Sequence, residues 1–310
     1  MPLFRTTVAI ALAVFLSAPA WALDPGETSY QFLRIGTDAR GEAMGGALTG
    51  LADELGAAAY NPAALALSVP KQCRLGYGNW VTDIQSGYLS GAFALGERGR
   101  FALSAQYVDY GHFDGYDGLG NPTPEFNASD VALAASVANR LGEQIYWGLT
   151  GKFISQSIDG ESSTGLAADL GVAVQLNDQR TRIGAAVRNV GGQTSTMGDA
   201  GKFGLPTVFA AGVSHHLQGA PLTVALEGLK PIDEDFGAAF GAEAQLAPAI
   251  ALRAGYNTLT GTIDTGSNKD KLAGLSFGIG LTSGRLGIDY ALSLYSELGE
   301  LHRFSLSTGF

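Results

Sequence analysis

The chain has 310 residues, of which 44 are glycine, and only 15% are charged, against about a quarter in ordinary soluble domains. Its 29 acidic residues outnumber 19 basic ones, a net charge of −10 that argues against nucleic-acid partners and against a polybasic lipid-binding patch. The single Cys73 excludes an internal disulfide framework and reads as a small apolar strand residue.

The first residues read as an export signal, residues 1–22. Arg5 supplies a basic start, Val8 to Leu16 form an apolar run of nine residues, and Ala20-Trp21-Ala22 places small residues at a cleavage site. That run is too short to span a bilayer as a helix. The expected mature part, 288 residues from Leu23 to Phe310, carries 18 basic and 29 acidic residues, a net charge of −11. It holds no apolar run of 18 residues, so no transmembrane helix is available. A mildly hydrophobic chain rich in Gly, Ala, Tyr and Phe fits a membrane barrel, which spreads its apolar residues one position in two.

Residues 23–71 are Gly- and Ala-rich and lack strand alternation. A short helix is expected around Asp53 to Ala59, broken at Tyr60-Asn61-Pro62, where proline biases Asn61 out of helix. A second turn of helix follows in Ala63 to Leu67, with Pro62 at its first position. Ahead of a barrel, the natural place for such a segment is the lumen, as a plug. Gly45-Gly46 would let its backbone pass close to the wall. Arg40 is expected either to meet an inward carboxylate (Asp169, Glu227, Glu243 or Asp289) or to sit in a wet pore.

The order Phe32 to Ala47, then Leu51 to Glu54, then Tyr60 to Leu65 resembles the N-terminal signature of the PorV/PorQ family. The matching residues are Gly36, Ala39, Arg40, Met44, Gly45, Gly46, Ala52, Asp53, Asn61, Pro62, Ala63 and Leu65; Ala64 stands where the family usually has glycine. That family is similar to the FadL-type transporters of hydrophobic compounds, which share the Asn-Pro-Ala element. Beyond residue 70 the likeness rests on barrel pattern and the terminal Phe310.

From Gln72 the chain reads as strand after strand with period-2 alternation. Leu166, Ala168, Leu170, Val172, Val174 and Leu176 face one way, against Ala167, Asp169, Gly171, Ala173 and Gln175. Strands are predicted near 72–80, 85–95, 100–110, 129–140, 144–155, 164–176, 181–189, 207–217, 221–230, 236–246, 249–257, 271–282, 285–295 and 300–310, fourteen in all. Short turns alternate with longer polar stretches at 111–128, 156–163, 190–206, 231–235, 258–270 and 296–299, the asymmetry of periplasmic turns against outer loops. A soluble β-sandwich is the competing fold, but its connections would not alternate in this way. Trp80, Tyr110, Trp147, Tyr256 and Tyr295 are candidates for an interfacial aromatic girdle. In the last strand Phe304, Leu306 and Phe310 share one face, and the terminal aromatic resembles the signal read by the barrel-assembly machinery.

Enzyme-like strings do not hold up in context. Gly274 to Gly278 matches a nucleophile elbow, yet it lies in an alternating strand with no helix after it. Asp264-Thr265-Gly266 has no second copy to make a carboxylate dyad. His302 and Ser305, three apart on a strand, fall on opposite faces. His215-His216 adjoin a short turn, and His112 with Asp114 and Asp117 follows no metal-loop template. No enzyme activity, cofactor or metal is expected.

The inward set by alternation is Lys152, Asp169, Arg188, Glu227, Glu243, Arg253, Asp289 and Arg303. Mixed signs point to a partly filled lumen braced by ion pairs rather than an ion-selective pore. The expectation is an all-β transmembrane antiparallel barrel of about 14 strands with an N-terminal plug containing short helices. Its partners would be outer-membrane lipid and the assembly machinery. The family resemblance implies a secretion-associated barrel binding exported proteins, with Phe113, Tyr116, Leu119 and Phe126 as exposed loop contacts. The alternative that it implies is a FadL-like passive transporter of a hydrophobic small molecule.

Overall fold

The computed structural model describes residues 27–310 except 52, 69–70, 81–83, 177, 199–200 and 263–264. The expected export signal and Ala52 of the signature lie outside the described residues, as does Asp264.

Fourteen strands form one closed antiparallel barrel: β1 (Gln72–Asn79), β2 (Gln85–Leu95), β3 (Gly99–Tyr116), β4 (Pro122–Leu141), β5 (Ile145–Ile158), β6 (Glu161–Gln175) and β7 (Thr181–Ser195), then β8 (Val208–His216), β9 (Leu222–Pro231), β10 (Gly237–Ala247), β11 (Ile250–Asn257), β12 (Leu275–Ser283), β13 (Leu286–Leu294) and β14 (Glu300–Gly309). Each strand pairs with its chain neighbours, and β14 closes on β1 with Leu75 opposite Leu306. Closure leaves no unpaired edge in the wall, which a bilayer requires.

The side-chain pattern is inverted relative to a soluble protein. On β6, Leu166 and Leu170 are 54% and 55% exposed, while Ala167 and Asp169 are 7% and 2% exposed. A sandwich would bury the leucine face; here that face looks outward, to lipid, and the small and charged residues look inward.

The wall is uneven in height. β3 and β4 have 18 and 20 residues, while β1 and β11 have 8 each, against the about 9–11 that a tilted strand needs to cross a bilayer. The stretch 111–128, read from sequence as a loop, is mostly the upper part of the β3–β4 hairpin, and the same holds for 156–163 and for 190–195. Above the bilayer both faces are wet, so the alternation stops while the backbone ladder continues. A bulge between Asp109 and His112 further breaks the parity, with Gly111 at φ +78°.

Residues 28–51 and 53–68 lie inside the barrel, from the rim at Thr28 to the middle of the lumen. The helix Ala39–Ala43 is N-capped by Asp38, whose carboxylate accepts from Gly41 N at 3.4 Å. A 3-10 turn at Leu55–Ala59 and a helix at Ala64–Leu67 follow. Asn61 explains the Asn-Pro-Ala element: its Oδ1 accepts from Ala63 N (3.0 Å), and its Nδ2 donates to Thr49 O (2.9 Å) and to Val172 O of β6 (3.0 Å). One buried amide thus shapes the turn and bolts it to the wall. The wall yields space by being glycine there: a Cβ on Gly171 would come within 2.8 Å of Pro62 Cδ. Gly45 and Gly46 turn with φ +65° and +86°, and a Cβ on Gly45 would sit 2.8 Å from Tyr256 N.

Candidate functional site: the plugged lumen

A continuous ion-pair network ties the plug to the wall. Arg40 reaches Asp53 (2.6 Å) and, with two nitrogens, Glu243 of β10 (2.7 and 2.8 Å). Glu243 also accepts from Arg253 of β11 (2.6 Å), which continues to Asp289 of β13 (2.7 Å) and from there to Arg74 of β1 (3.0 Å). Arg74 closes the chain on Asp38 and on Glu54 (3.2 Å). Of the four carboxylates proposed for Arg40, Glu243 is the one that meets it. Buried charges persist only where paired and hydrogen-bonded, and this network satisfies three arginines with five carboxylates.

Arg74, Asp38 and Glu54 were not singled out from sequence. Arg74 shares the inward parity of Gln72 and Gly76, so alternation was the signal available for it. The pairing of Asp38 and Glu54 with it depends on the folded plug.

The remaining lumen charges behave differently from one another. Lys152 pairs with Asp169 (2.8 Å) and donates to Asn189 Oδ1 (2.7 Å), while Asp169 accepts from Asn189 N (2.7 Å). This trio stabilises a bulge where Arg188 and Asn189 of β7 stand opposite the single Asp169, with Asn189 in the left-handed region at φ +59°. Glu227 takes Thr49 N (2.8 Å) and Thr49 Oγ1 (2.7 Å). Arg303, 1% exposed, lies 3.6 Å from Glu42. Arg188 rests over the ring of Tyr60, its Cζ 5.6 Å from the centroid. The other signature residues Gly36, Ala39, Met44, Ala63 and Leu65 pack within the plug, with Ala39 N donating to Ser305 Oγ of β14 (2.9 Å).

At the rim, the segment before the plug helix is clamped to the β9–β10 connection. Asp233 accepts from Thr28 Oγ1 (2.6 Å), Gln31 Nε2 (2.9 Å) and Arg34, and Glu234 also holds Arg34 (2.6 Å). Burial works against the charge on Asp233, and the hydrogen bonds from Arg34, Thr28 and Gln31 outweigh it, holding the carboxyl below its usual range.

Two cavities meet at this strap. The outer one, about 400 Å³, is lined by Trp80, Tyr295, Leu259, Leu229, Tyr60 and Arg188 among others. The inner one is about 70 Å³ and lies against β2–β6, reached by Tyr88, Gln106 and Lys152. Leu33, Arg34, Ile35, Gly36, Tyr60 and Arg188 line both. An apolar cavity of about 150 Å³ accepts benzene. The outer space exceeds that volume and the inner one falls short of it.

The aromatic-girdle expectation needs correction for three of its five residues. Of the five girdle aromatics, Trp147 and Tyr256 lie on the outer face, whereas Trp80, Tyr110 and Tyr295 turn inward. Trp80 and Tyr295 pair with ring centroids 5.2 Å apart, Tyr295 donates to Glu42 (3.3 Å), and Tyr110 donates to Asp130 (2.7 Å). Tyr295 follows the end of β13 and Trp80 the end of β1, where strand parity no longer applies. Phe113 stacks on Phe126 within the hairpin (5.3 Å), while Tyr116 and Leu119 are exposed. Phe304, Leu306 and Phe310 lie on the lipid face. Ser276, from the nucleophile-elbow string, donates to Ala43 O (3.3 Å) and fastens the plug. His302 is bonded to Tyr290 on the outer face (2.8 Å), away from Ser305. Among the described residues no cluster of three or more His, Cys, Asp or Glu side chains could hold a metal.

Fold and lumen together define a membrane β-barrel closed by its own N-terminal segment. No protein-family model matches the chain, and no curated protein matches it. Solved structures do. The chain is similar to the CymD monoaromatic hydrocarbon channel (16% identity, 89% of this chain and 98% of that one, TM-score 0.63). It is similar to the toluene transporter TbuX of Ralstonia pickettii (14%, 89% and 99%, 0.63) and to a FadL homologue of Pseudomonas aeruginosa (14%, 87% and 97%, 0.55). At these identities the likeness is one of fold alone.

Proposed function

We propose that the chain is a non-enzymatic, passive channel for hydrophobic small molecules in the outer membrane of a Gram-negative bacterium. The observation that carries this reading is the outer cavity, which stops at a clamped strap inside a plugged barrel. Support also comes from the fold, shared over 89% of the chain with a monoaromatic hydrocarbon channel and a toluene transporter. A molecule entering from outside would leave water in the aromatic-lined cavity. Its further passage would require the Leu33 to Gly36 strap to shift.

The secretion-associated reading rests on the N-terminal PorV/PorQ resemblance alone, and we place it second. A crosslinking pull-down of the native barrel separates the two, analysed for both proteins and apolar small molecules. Bound apolar ligand without a stoichiometric protein is the result expected. A stoichiometric exported protein, lost on deletion of 113–126 with the barrel still heat-modifiable, would overturn it. Insertion through Phe304, Leu306 and Phe310 by the assembly machinery belongs to the same proposal.

A further inference from the structure

Among the described residues, every charged side chain lining the two cavities has an ion-pair or hydrogen-bond partner except Arg188, which lies over the Tyr60 ring. Arg34 holds Glu234 (2.6 Å), Lys152 holds Asp169 (2.8 Å), and Glu42 lies between Tyr295 (3.3 Å) and Arg303 (3.6 Å). Arg188 borders both cavities, and its Nε is buried without an acceptor among the described residues. Glu227 accepts from Thr49 N and Thr49 Oγ1 and forms no ion pair with Arg188. Burying a guanidinium donor with no acceptor costs free energy, more so because the group is charged. A site that carries that cost fits a ligand that brings the acceptor.

The surroundings narrow the ligand. Val208, the cross-strand partner of Arg188, and Leu229 and Tyr60 place apolar and aromatic surface in the same outer cavity. Across the barrel, since β7 is six strands from both β13 and β1, Trp80 and Ser293 also line this cavity, with Trp80 Nε1 and Ser293 Oγ buried and without partners among the described residues. Ser293 is 5% exposed. The lining thus joins aromatic walls to a planar cation and two neutral groups able to donate. A pure hydrocarbon would leave all three unmatched.

We infer that the outer cavity is a binding site for a small aromatic carboxylate, whose carboxylate takes the Arg188 guanidinium while its ring lies on the apolar lining. This rests on the channel reading and narrows its substrate class. The planar fork of arginine matches a carboxylate two bonds at a time.

Benzoate and toluene differ only in the group that meets Arg188, so they are the probes. Binding to the full-length, detergent-purified barrel is measured by equilibrium dialysis with labelled compounds, alongside uptake of both by cells. The expected result is that benzoate binds more tightly than toluene. Arg188→Gln should weaken benzoate by about tenfold or more, the effect of losing a charge-assisted pair, and affect toluene much less. Heat-modifiability of the variant reports that the barrel is intact, and Arg188→Lys should restore part of the binding. Equal binding of the two probes, or an equal effect of Arg188→Gln on both, overturns the inference. Toluene bound and taken up without benzoate also overturns it and leaves the channel reading standing. Neither compound bound nor taken up sinks both.

Discussion

Truncating Arg40 to alanine should release the plug while sparing the wall. The guanidinium holds Asp53, Glu54 and both oxygens of Glu243; Asp53 is 31% exposed, Glu54, which keeps Arg74, 19%, and Glu243 13%. Asp53 can rehydrate, so its loss counts for about 0–1 kcal/mol. Glu243 is left in the lumen with Arg253 as its remaining partner, on the Oε2 side. Breaking one partner of a buried pair costs about 3–5 kcal/mol, and the surviving Arg253 contact places this case at the low end. A loss of about 3 kcal/mol is roughly a hundredfold in the opening equilibrium of the plug, at about 1.4 kcal/mol per tenfold. Hydrogen exchange of the amides of residues 38–60 should accelerate by that factor, while strands β1–β14 keep their protection. The reasoning fails if plug exchange is unchanged, or if the barrel itself loses heat-modifiability. Either outcome would place the network's main role somewhere other than plug docking.

Asn61→Leu should open the plug to protease between 28 and 68, since it orphans Thr49 O and Ala63 N at about 1–3 kcal/mol per buried group; an uncut plug at equal protease would refute this. Gly171→Ala pushes a methyl against Pro62 and should lower the thermal midpoint by the equivalent of about 1–3 kcal/mol. Gly151→Ala, with nothing within 4 Å, is the control and should be near neutral. Asp270 in the β11–β12 connection is held down to about 2 by Ser296 and Thr265, so its contacts are present above the usual carboxylate range and lost as pH falls through about 2. Protection of the Thr265 and Ser267 amides, both donors to Asp270, should therefore stay flat from neutral pH through the ordinary carboxylate range and vanish near 2. Loss already around the ordinary value of 3.8 would contradict the assignment.

The strands were legible because a lipid-facing wall demands alternation, as in Leu166 to Leu176, and the fourteen predicted segments match the fourteen strands observed. What alternation could not report was where the wall continues above the bilayer. There the register shifts between Asp109 and His112 and between Phe113 and Gly115 break the alternation, and polar residues such as His112, Asp114, Glu125 and Asn127 are interspersed, so the ladder read as a loop. Glu243, Arg253 and Asp289 could be placed on the inner face by parity, but which carboxylate meets Arg40 is a contact between residues 203 apart. The abundance of glycine made sense only once Gly171 was seen beneath Pro62. The unmatched state of Arg188 had no sequence signal, because it depends on every other lumen charge having found a partner first.

The central claim, a channel for small hydrophobic molecules gated by its own N-terminal strap, is tested most directly by initial uptake of labelled toluene at low external concentration. Cells of a Gram-negative host carrying the full chain are compared with empty vector and with Arg34→Ala, which removes the ion pairs of the strap to Asp233 and Glu234. The account expects uptake several-fold above vector and a further rise in the variant. Rates indistinguishable from vector in both, with folded barrel present in the outer membrane, would contradict it.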